Sequence, residues 1–507
     1  MASDLAPRLA RNAGYHALRS VIALAALLLV TPFIIGVVGT EQYGVWALAG
    51  VVTTCLQLGD FGIGESLVKY AAEYHAVRDS ARLNRMVNTA LVTYLGLALL
   101  LGGALLLTMP GIAAALLHIP APLLEEAVLI FRLAVIIFFF NMVMGIFSAL
   151  VTATQQLGYT TAISIASTLL GVVGTFSFLL MGYGLRGLMA TNAIVAVFVA
   201  VCSALAAWRL HPQLRLNPVK WLDREMFRQI FGYSWKVQVA NLSQLLIFQV
   251  DRILLSRYLG LEAVAFYEIG SSFALYARTF ALALFSPLLP AVSELHARRE
   301  HELLAGLYRR ALKFMAMSAI PFGLMVVGLA HPFMQAWMGE GFGLAATTLQ
   351  LLLPLYLLHA LTAPGAYILN GINRPEIAMR GAILAGVGNL LLCFVLVRSV
   401  GYFGLIAGIG VALLLAAAYL FKMIHRYLPE VGTAVYRGSF VRPLLFALPA
   451  AALLHFGFAA LGIAGLLPVI LAAAIFLGGM ALLLWRGSYL DAFEREVLVG
   501  VFGRRHE

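Results

Sequence analysis

The stretch LQLGDFGIGESLVKY, from Leu56 to Tyr70, places polar residues and glycines inside an otherwise apolar part of the chain. Its two carboxylates, Asp60 and Glu65, could work as an acid pair only if they shared a helix face. Their spacing puts them about 140° apart around a helix, which argues against paired acid chemistry. A dinucleotide-binding loop would require a further glycine where this chain has Leu67. The glycines of the stretch instead indicate a hinge or a close helix contact; they are Gly59, Gly62 and Gly64.

The other chemistry-bearing residues do not complete an enzyme or cofactor motif. The chain has no Gly-Lys pair for a Walker-type phosphate loop, and His301-Glu302 lacks the second histidine of a zinc-binding helix. The cysteines lie singly in apolar segments, where we expect them to pack; they are Cys55, Cys202 and Cys393. We therefore predict a protein that is not an enzyme and that holds neither a metal nor another cofactor.

The elements that must position these residues are membrane-spanning helices. Of the 507 residues, 62% are hydrophobic and 11% are charged, and the mean hydropathy is +0.93. A soluble protein carries about 25% charged residues, whereas a spanning helix needs about 20 mostly apolar residues. The sequence thus predicts an all-α polytopic membrane protein with about fourteen spans, near residues 14–38, 43–70, 86–109, 124–150, 159–181, 186–208, 230–258, 264–290, 308–331, 344–370, 378–398, 402–425, 440–462 and 464–485.

The net charge of +11 is unevenly distributed between the loops. Lys and Arg cluster in alternate loops, such as 209–228 and 422–442, whereas the loops between them contain only Arg186 and Arg398. This positive-inside pattern predicts that both termini are cytoplasmic and argues against nucleic-acid binding. No external loop is long enough to hold a soluble domain, which argues against a membrane glycan polymerase or ligase.

An internal repeat predicts the domain organisation. GTEQYGVW from Gly39 matches GLEAVAFY from Gly260, and EYHAVR from Glu73 matches ELHARR from Glu294 with the same separation. A parallel repeat is typical of transporters with two lobes. We predict two pseudo-symmetric six-helix lobes and two appended helices, divided into an N-terminal lobe at 1–209, a cytoplasmic linker at 210–229, a C-terminal lobe at 230–425, spans 13 and 14 at 440–485, and a cytoplasmic amphipathic tail at 486–507.

Several charged residues fall inside predicted spans, where each is expected to face protein or water because its insertion into lipid costs ~2.5–3.5 kcal/mol. In span 7, four polar residues share a helix stripe about 100° wide, which favours a helix lining a water-filled cavity; the alternative is an internal ion-pair network. These four are Lys236, Ser243, Gln244 and Asp251. The other basic residues considered for such a cavity are Arg19, Arg132, Arg252 and Arg278.

Three motifs resemble the polysaccharide transporter family, the O-antigen-type (Wzx-like) flippases of the MOP superfamily. They are LGDFGIGESLVKYAAEYHAVRD, DRILLSRYLGLEAVAFYEIG and, at Ile368 to Pro375, ILNGINRP. The resemblance covers roughly residues 10–425. It implies a V of two six-helix lobes and alternating access in the bacterial inner membrane. It also implies a cationic cavity for a polyprenyl-pyrophosphate-linked oligosaccharide, and an ion gradient or the membrane potential as energy source.

The expected substrate suggests a role for each candidate residue. A pyrophosphate diester is dianionic, so its cavity should present fixed cations; the expected anion contacts are Arg19, Lys236, Arg252, Arg278 and Arg132. Asp60, Glu65 and Asp251 are expected to couple or gate transport, with H+ or Na+ as the coupling ion. The repeat also predicts a second hinge at Pro287 and Pro290, opposite the glycine hinge.

Two related functions remain open alongside the flippase of surface polysaccharide biosynthesis. One is a lipid II flippase, which shares the fourteen spans and basic cavity residues. The other is a multidrug or cation extruder, against which the lone basic residue Arg19 in span 1 argues. Polysaccharide-assembly proteins are expected as partners, together with the lipid bilayer.

Overall fold

The computed structural model describes residues 5–154, 156–283, 300–462, 465–487 and 489–491, together with residues 285, 288, 292, 295–296 and 494–495. The described chain is built from helices and contains no strand. The main helices are α1 Leu5–Val38, α2 Thr40–Leu56, α3 Ile63–Ala76, α4 Ser80–Leu116, α5 Ala121–Ala153, α6 Leu157–Leu180, α7 Gly184–Leu210, α8 Arg224–Phe248, α9 Val250–Leu259, α10 Leu261–Ala283, α11 His301–Met338, α12 Gly343–Ala360, α13 Ala363–Gly371, α14 Pro375–Val400, α15 Tyr402–Tyr427, α16 Ala434–Leu461 and α17 Leu466–Arg486.

Ten helical segments within the described ranges are long and apolar enough to cross a membrane, which confirms the polytopic all-α class. They are α4 to α7, α11, the α12–α13 pair, and α14 to α17. The bent pair α2–α3 passes the same test when it is counted as one span. Every predicted span overlaps a helix, but α1, α8–α9 and α10 are not among the ten, so the count of fourteen stays a prediction.

The repeat is visible in the order and the ends of the helices. Gly39 precedes α2 with φ 83° and ψ 169°, and its repeat partner Gly260 precedes α10 with φ 87° and ψ 177°. A side chain strongly disfavours such a backbone conformation, so glycine is needed at both positions. The two matched glycines therefore share one backbone conformation, each immediately before a helix.

Close contacts within the chain divide it into two compact units, Met1–Ala265 and Phe266–Glu507. The repeat predicted a division at the linker 210–229 instead. In the structure α8 packs against α3 and α4, so the beginning of predicted span 7 belongs by its contacts to the first unit. The two six-helix lobes stay a prediction about the repeat, and the two units are described separately below.

Small residues allow the tightest helix packing in the second unit, where α14 and α15 lie against each other. A Cβ added to Gly408 would lie 2.9 Å from the backbone nitrogen of Cys393, and one added to Gly404 would lie 2.1 Å from the carbonyl oxygen of Leu396. Such close backbone approach is typical of helix pairs in membranes. The thiol of Cys393 is buried at this contact, 3.1 Å from Oδ1 of Asn389, in agreement with its predicted packing role.

Candidate functional site

The glycine-rich stretch breaks the second predicted span. Phe61 and Gly62 both have left-handed backbone angles, with φ 51° and 72°, so the helix cannot continue through them. The axes of the segments Thr40–Asp60 and Ile63–Ala76 differ by 52° as a result. The predicted kink is therefore present, whereas its movement as a hinge stays a prediction.

Asp60 holds this bend in place through two hydrogen bonds. The backbone N–H of Gly64 donates to Oδ2 of Asp60 over 3.2 Å, which caps the first turn of α3. The hydroxyl of Tyr94, on α4, donates to Oδ1 of the same carboxylate. The partly buried carboxylate thus joins α3 to α4 and lies at the positive end of the α3 dipole.

The three predicted hinge glycines have different structural roles. A Cβ on Gly64 would lie 3.3 Å from Oδ2 of Asp60, so a side chain there would disturb the cap. Gly62 is required by its positive φ. A Cβ on Gly59 would meet only Leu101 at 3.8 Å, which is an ordinary contact. Glu65, the second predicted gating carboxylate, is exposed, and Pro287 and Pro290 lie outside the described residues.

Two side chains that sequence reasoning missed tie α8 to this bend. The side-chain amide of Gln238 donates to the carbonyl oxygen of Leu58 over 2.7 Å. The hydroxyl of Ser66, in α3, lies 3.3 Å from the carbonyl oxygen of Ile230. The sequence signal for Gln238 is a polar residue inside a predicted span. It is easily missed because Gln238 lies outside the polar stripe that includes Lys236 and Ser243.

The linker before α8 is held by a pair of buried asparagines one turn apart in α4. Asn84 donates to the carbonyl of Gln213 and accepts from the N–H of Arg215, over 3.0 and 2.7 Å. Asn88 donates to the carbonyl of Arg215 and accepts from the N–H of Asn217, both over 2.8 Å. The two side-chain amides therefore satisfy carbonyl and N–H groups of the linker backbone. The sequence predicted only a polar linker here.

The polar stripe of span 7 is interrupted in the structure. Gln249 ends α8 and a new helix, α9, begins at Val250, so the single helix assumed for 230–258 is two helices. Ser243 is buried, Gln244 is exposed, and Asp251 is completely buried. The break places Asp251 in a different helix from the other three residues, and the shared polar stripe stays a prediction.

The predicted basic residues are found in different surroundings. Arg252 is 5% exposed, and its Nη1 lies 2.5 Å from the carbonyl oxygen of Phe248 in the first unit. Arg132 is exposed and donates from Nε to the carbonyl oxygen of Leu106 over 3.1 Å. Arg19 lies in α1 and Lys236 in α8, but their side chains lie outside the described part of the structure.

Arg278 is the predicted cation with the most distinctive environment. It lies on α10 in the second unit, within electrostatic range of His359, Tyr356 and Tyr367. Tyr356 and His359 are three residues apart on α12 and therefore share one helix face. The Nδ1 atom of His359 is buried without a hydrogen-bond partner among the described residues. We refer to Arg278, Tyr356, His359 and Tyr367 as the basic cluster.

Tyr367, the last member of the basic cluster, lies on α13, beyond a short break after α12. Residues Leu361 and Thr362 separate α12 from α13, and Pro364 lies in the first turn of α13, where its missing N–H is tolerated. The hydroxyl of Thr362 donates to the carbonyl oxygen of His359 over 2.7 Å, which satisfies the end of α12. A base, a guanidinium and two phenols together can donate several hydrogen bonds to an anion.

No group of three or more potential metal ligands occurs in the parts of the chain that the structure describes. The arrangement of apolar spanning helices, interrupted by short breaks that carry polar residues, defines a multi-pass membrane transporter. More specifically, the profile of the family described as "Polysaccharide biosynthesis protein" matches residues 9–296, and this chain belongs to that family. A second profile, MatE, matches residues 237–395.

Among known proteins, membrane protein EpsK of Bacillus subtilis is 23% identical over 76% of this chain and 77% of its own length. A Shigella flexneri protein named "Putative O-antigen transporter" is 21% identical over 80% of this chain and 94% of its own length. Two solved structures share the fold. An inward-facing multidrug resistance MATE transporter of the MOP superfamily covers 81% of this chain and 98% of its own with a TM-score of 0.71 and 15% identity. The lipid II flippase MurJ covers 93% and 99% with a TM-score of 0.69 and 13% identity.

Proposed function

We propose that this protein is a flippase that moves a polyprenyl-pyrophosphate-linked oligosaccharide from the cytoplasmic to the periplasmic leaflet by alternating access, for surface polysaccharide biosynthesis. The observation that carries the proposal is the basic cluster, in which Arg278, on a helix predicted to span the membrane, lies within electrostatic range of a histidine and two tyrosines. An arginine within the membrane marks a substrate pathway because its insertion is costly. Membership in the polysaccharide biosynthesis family supports this reading.

The substrate chemistry matches this cluster. A pyrophosphate diester carries two negative charges, and a guanidinium can bind two phosphate oxygens at once. Tyr356 and Tyr367 offer further hydroxyl donors, and His359 adds a second nitrogen base. The relative named as an O-antigen transporter acts by its name on a related glycan, and MurJ by its name on lipid II. Both substrates fit the same anionic class.

The proposed setting is the bacterial inner membrane with both termini in the cytoplasm. In that orientation the loops rich in Lys and Arg face the cytoplasm. An anion that moves outward gains ~2.3 kcal/mol per charge per 100 mV of inside-negative potential. Two charges on the substrate therefore supply a driving force without ATP, with H+ or Na+ as an additional coupling ion. Polysaccharide-assembly proteins are the proposed partners.

The bend at Asp60 is the proposed moving part of the first unit. Its two left-handed residues can absorb a change in backbone angle, while Asp60 and Tyr94 fix the angle of the closed bend. Glu65 and Asp251 are proposed as coupling or gating groups, and Gly59, Gly62 and Gly64 as hinge residues. Arg19, Lys236, Arg252 and Arg132 remain proposed anion contacts, with Ser243 and Gln244 as polar cavity residues.

The test is complementation of a strain that lacks the protein and its surface glycan. The double variant Lys236→Ala and Arg278→Ala should abolish surface glycan, because it removes two of the proposed anion contacts. Protein abundance in the membrane fraction should stay normal. Wild-type glycan levels in the double variant would refute the site, and a deletion strain with unaltered lipid-linked glycan export would refute the function.

A cation or drug extruder is the second candidate, favoured by the MATE-like fold. The composition of the basic cluster argues against it, because a cation substrate needs acidic partners. Sensitivity of the deletion strain to a panel of cationic dyes distinguishes the two functions. A dye phenotype with normal surface glycan would favour the extruder, and accumulation of lipid II would favour the lipid II flippase.

A further inference from the structure

A second basic site lies in the second unit, near the ends of two spanning helices, and shares no residue with the basic cluster. A cavity of about 700 Å³ is lined by early turns of α11 and α16 and by Tyr489, Asp491 and Glu494. Five of its lining residues are basic and two are acidic. The basic ones are Arg309, Arg310, Lys313, Arg437 and Arg442, and we call this cavity the arginine pocket.

The acidic residues of the arginine pocket are engaged in its own wall. Glu494 is 2% exposed and forms an ion pair of 2.5 Å with Lys313. It also accepts the backbone N–H of Asp491 over 2.9 Å, while Asp491 accepts the N–H of Glu494 over 2.7 Å. One lysine is therefore neutralised by one glutamate, and the arginines outnumber the remaining acidic residue.

The wall is also braced by Tyr489. Its hydroxyl lies 2.9 Å from the carbonyl oxygen of Ser439 and 3.1 Å from that of Lys313, which joins α16 to α11. Burial, and then the negative charge of Glu494, raise the pKa of Tyr489 above its ordinary value. The phenol therefore stays neutral and does not offset the arginine charges.

The arginines of the arginine pocket are accessible to solvent. Arg309, Arg310, Arg437 and Arg442 are all exposed. Arg309 donates from Nη1 to the carbonyl oxygen of Glu430, and Arg442 from Nη1 to that of Gly487, each over 3.3 Å. A guanidinium has five N–H donors, so one such bond orients Arg309 and leaves other donors for a ligand.

The direction of α16 adds to the positive potential. Its first residue is Ala434, so Arg437 lies in the first turn, where the helix dipole is positive. A phosphate group fits both features, since helix N-termini and arginines each bind phosphate oxygens. Beyond the pocket, α16 exposes apolar side chains along its length: Val441, Leu444, Leu445 and Leu448. A ligand that combines a phosphate with acyl chains would contact both surfaces.

We propose that the arginine pocket binds the phosphate headgroup of an anionic membrane lipid, with its acyl chains along the exposed apolar face of α16. Basic pockets between spanning helices at the cytoplasmic face bind such headgroups in other membrane proteins. The site is separate in sequence and in lining residues from the basic cluster, so it can be tested independently of transport.

The experiment uses the full-length protein in detergent with added lipid, read by native mass spectrometry and by thermal unfolding. Phosphatidylglycerol and cardiolipin should bind and stabilise the protein, while phosphatidylcholine should not. The double variant Arg310→Gln and Arg437→Gln should raise the half-saturating phosphatidylglycerol concentration at least tenfold. It leaves the Lys313–Glu494 pair intact, so the fold is preserved.

The matched control is Arg224→Gln with Arg228→Gln, which removes the same charge from exposed positions near the start of α8. It should leave lipid binding unchanged. An equal loss of lipid binding in both double variants would show that general surface charge causes the effect. That result would overturn the site. Inorganic phosphate that stabilises the protein as well as phosphatidylglycerol does would overturn the lipid assignment.

Discussion

The two units of this protein contain polar clusters of opposite character. In the first unit, the carboxylate of Asp60 accepts hydrogen bonds from Tyr94 and from the N–H of Gly64. In the second unit, Arg278 lies within electrostatic range of another base, His359, and of two phenols. The acidic group thus accepts hydrogen bonds from donors in α3 and α4. The basic group is surrounded by residues that can also donate to an added anion.

This difference separates two ways of using a costly polar group in a membrane. The hydrogen bonds of Asp60 fix a bend in the chain. Their contribution is therefore to the stability of the folded protein, whether or not a ligand is bound. The donors of the basic cluster gain most when a phosphate arrives. We therefore expect substitutions at Asp60 to act mainly on stability and substitutions at Arg278 to act mainly on transport.

The largest effect is expected for Arg278→Gln. Hydrogen bonds to a charged group contribute ~1.5–3 kcal/mol, and ~1.4 kcal/mol corresponds to a factor of ten. Transport of lipid-linked glycan should therefore fall at least about tenfold, with little change in thermal unfolding. Flipping of a labelled lipid-linked oligosaccharide in proteoliposomes measures this directly.

Two further variants serve as comparisons for Arg278→Gln. Arg278→Lys keeps the charge but loses the planar guanidinium, so we expect intermediate transport. Arg186→Gln removes an exposed arginine of the first unit and should behave as wild type. A strongly destabilised Arg278→Gln protein would place this arginine with Asp60 as a structural residue and would remove the contrast between the two clusters.

The second prediction concerns Asp60→Ala. The substitution removes the cap of α3, worth ~1 kcal/mol, and leaves the hydroxyl of Tyr94 without this acceptor, at ~1–3 kcal/mol. The free energy of unfolding should fall by about 2–4 kcal/mol, visible as a lower melting temperature in detergent. Glu65→Ala, at an exposed position five residues along the same stretch, is the matched control and should melt like the wild type. Equal melting temperatures for both variants would show that the Asp60 bonds do not hold the bend.

Part of this picture was accessible from the sequence because it rests on local chemistry. Apolar runs predicted the helices, and the clustered glycines predicted the break that Phe61 and Gly62 produce. The shared pattern at Gly39 and Gly260 predicted a repeat whose two glycines have matching backbone angles. In each case the information lies within one helix or one turn.

The remainder depends on contacts between distant segments. Asp60 and Glu65 were interpreted together, yet Asp60 is bound to Tyr94, 34 residues away, while Glu65 is exposed. Arg278 is recognisable as a charge in a predicted span, but its neighbours His359 and Tyr367 lie on other helices, 81 and 89 residues further along the chain. The helical wheel of span 7 assumed one straight helix, and Gln249 interrupts it. Pairings of this kind leave no local trace in a single sequence.

A third, smaller effect tests how the linker is attached in the first unit. Asn88→Ala should leave the carbonyl of Arg215 and the N–H of Asn217 without their side-chain partner, at a local cost of ~1–3 kcal/mol. Residues 211–223 should then open more often, which limited proteolysis or hydrogen exchange would detect as faster cleavage or exchange. Thr93→Ala is the control, because that hydroxyl bonds only to Thr89 of its own helix among the described contacts. Unchanged protection of the linker in Asn88→Ala would mean that other contacts hold it.

The smallest effect is expected at His211, at the start of the same linker. Burial, and then the neighbouring His75, lower the pKa of His211 below its ordinary value of 6.5. The unfolded chain therefore binds more protons than the folded one just below pH 6.5, so stability is complete above that pH and falls as the pH drops. The wild type should lose melting temperature between about pH 7.5 and 5.5, and His211→Gln should lose less. His118→Asn, which suits the left-handed backbone at that exposed position, should keep the wild-type pH dependence. If His211→Gln keeps the wild-type pH dependence too, the acid sensitivity arises elsewhere, and the linker contributes to stability through other contacts, such as the hydrogen bonds of Asn84 and Asn88.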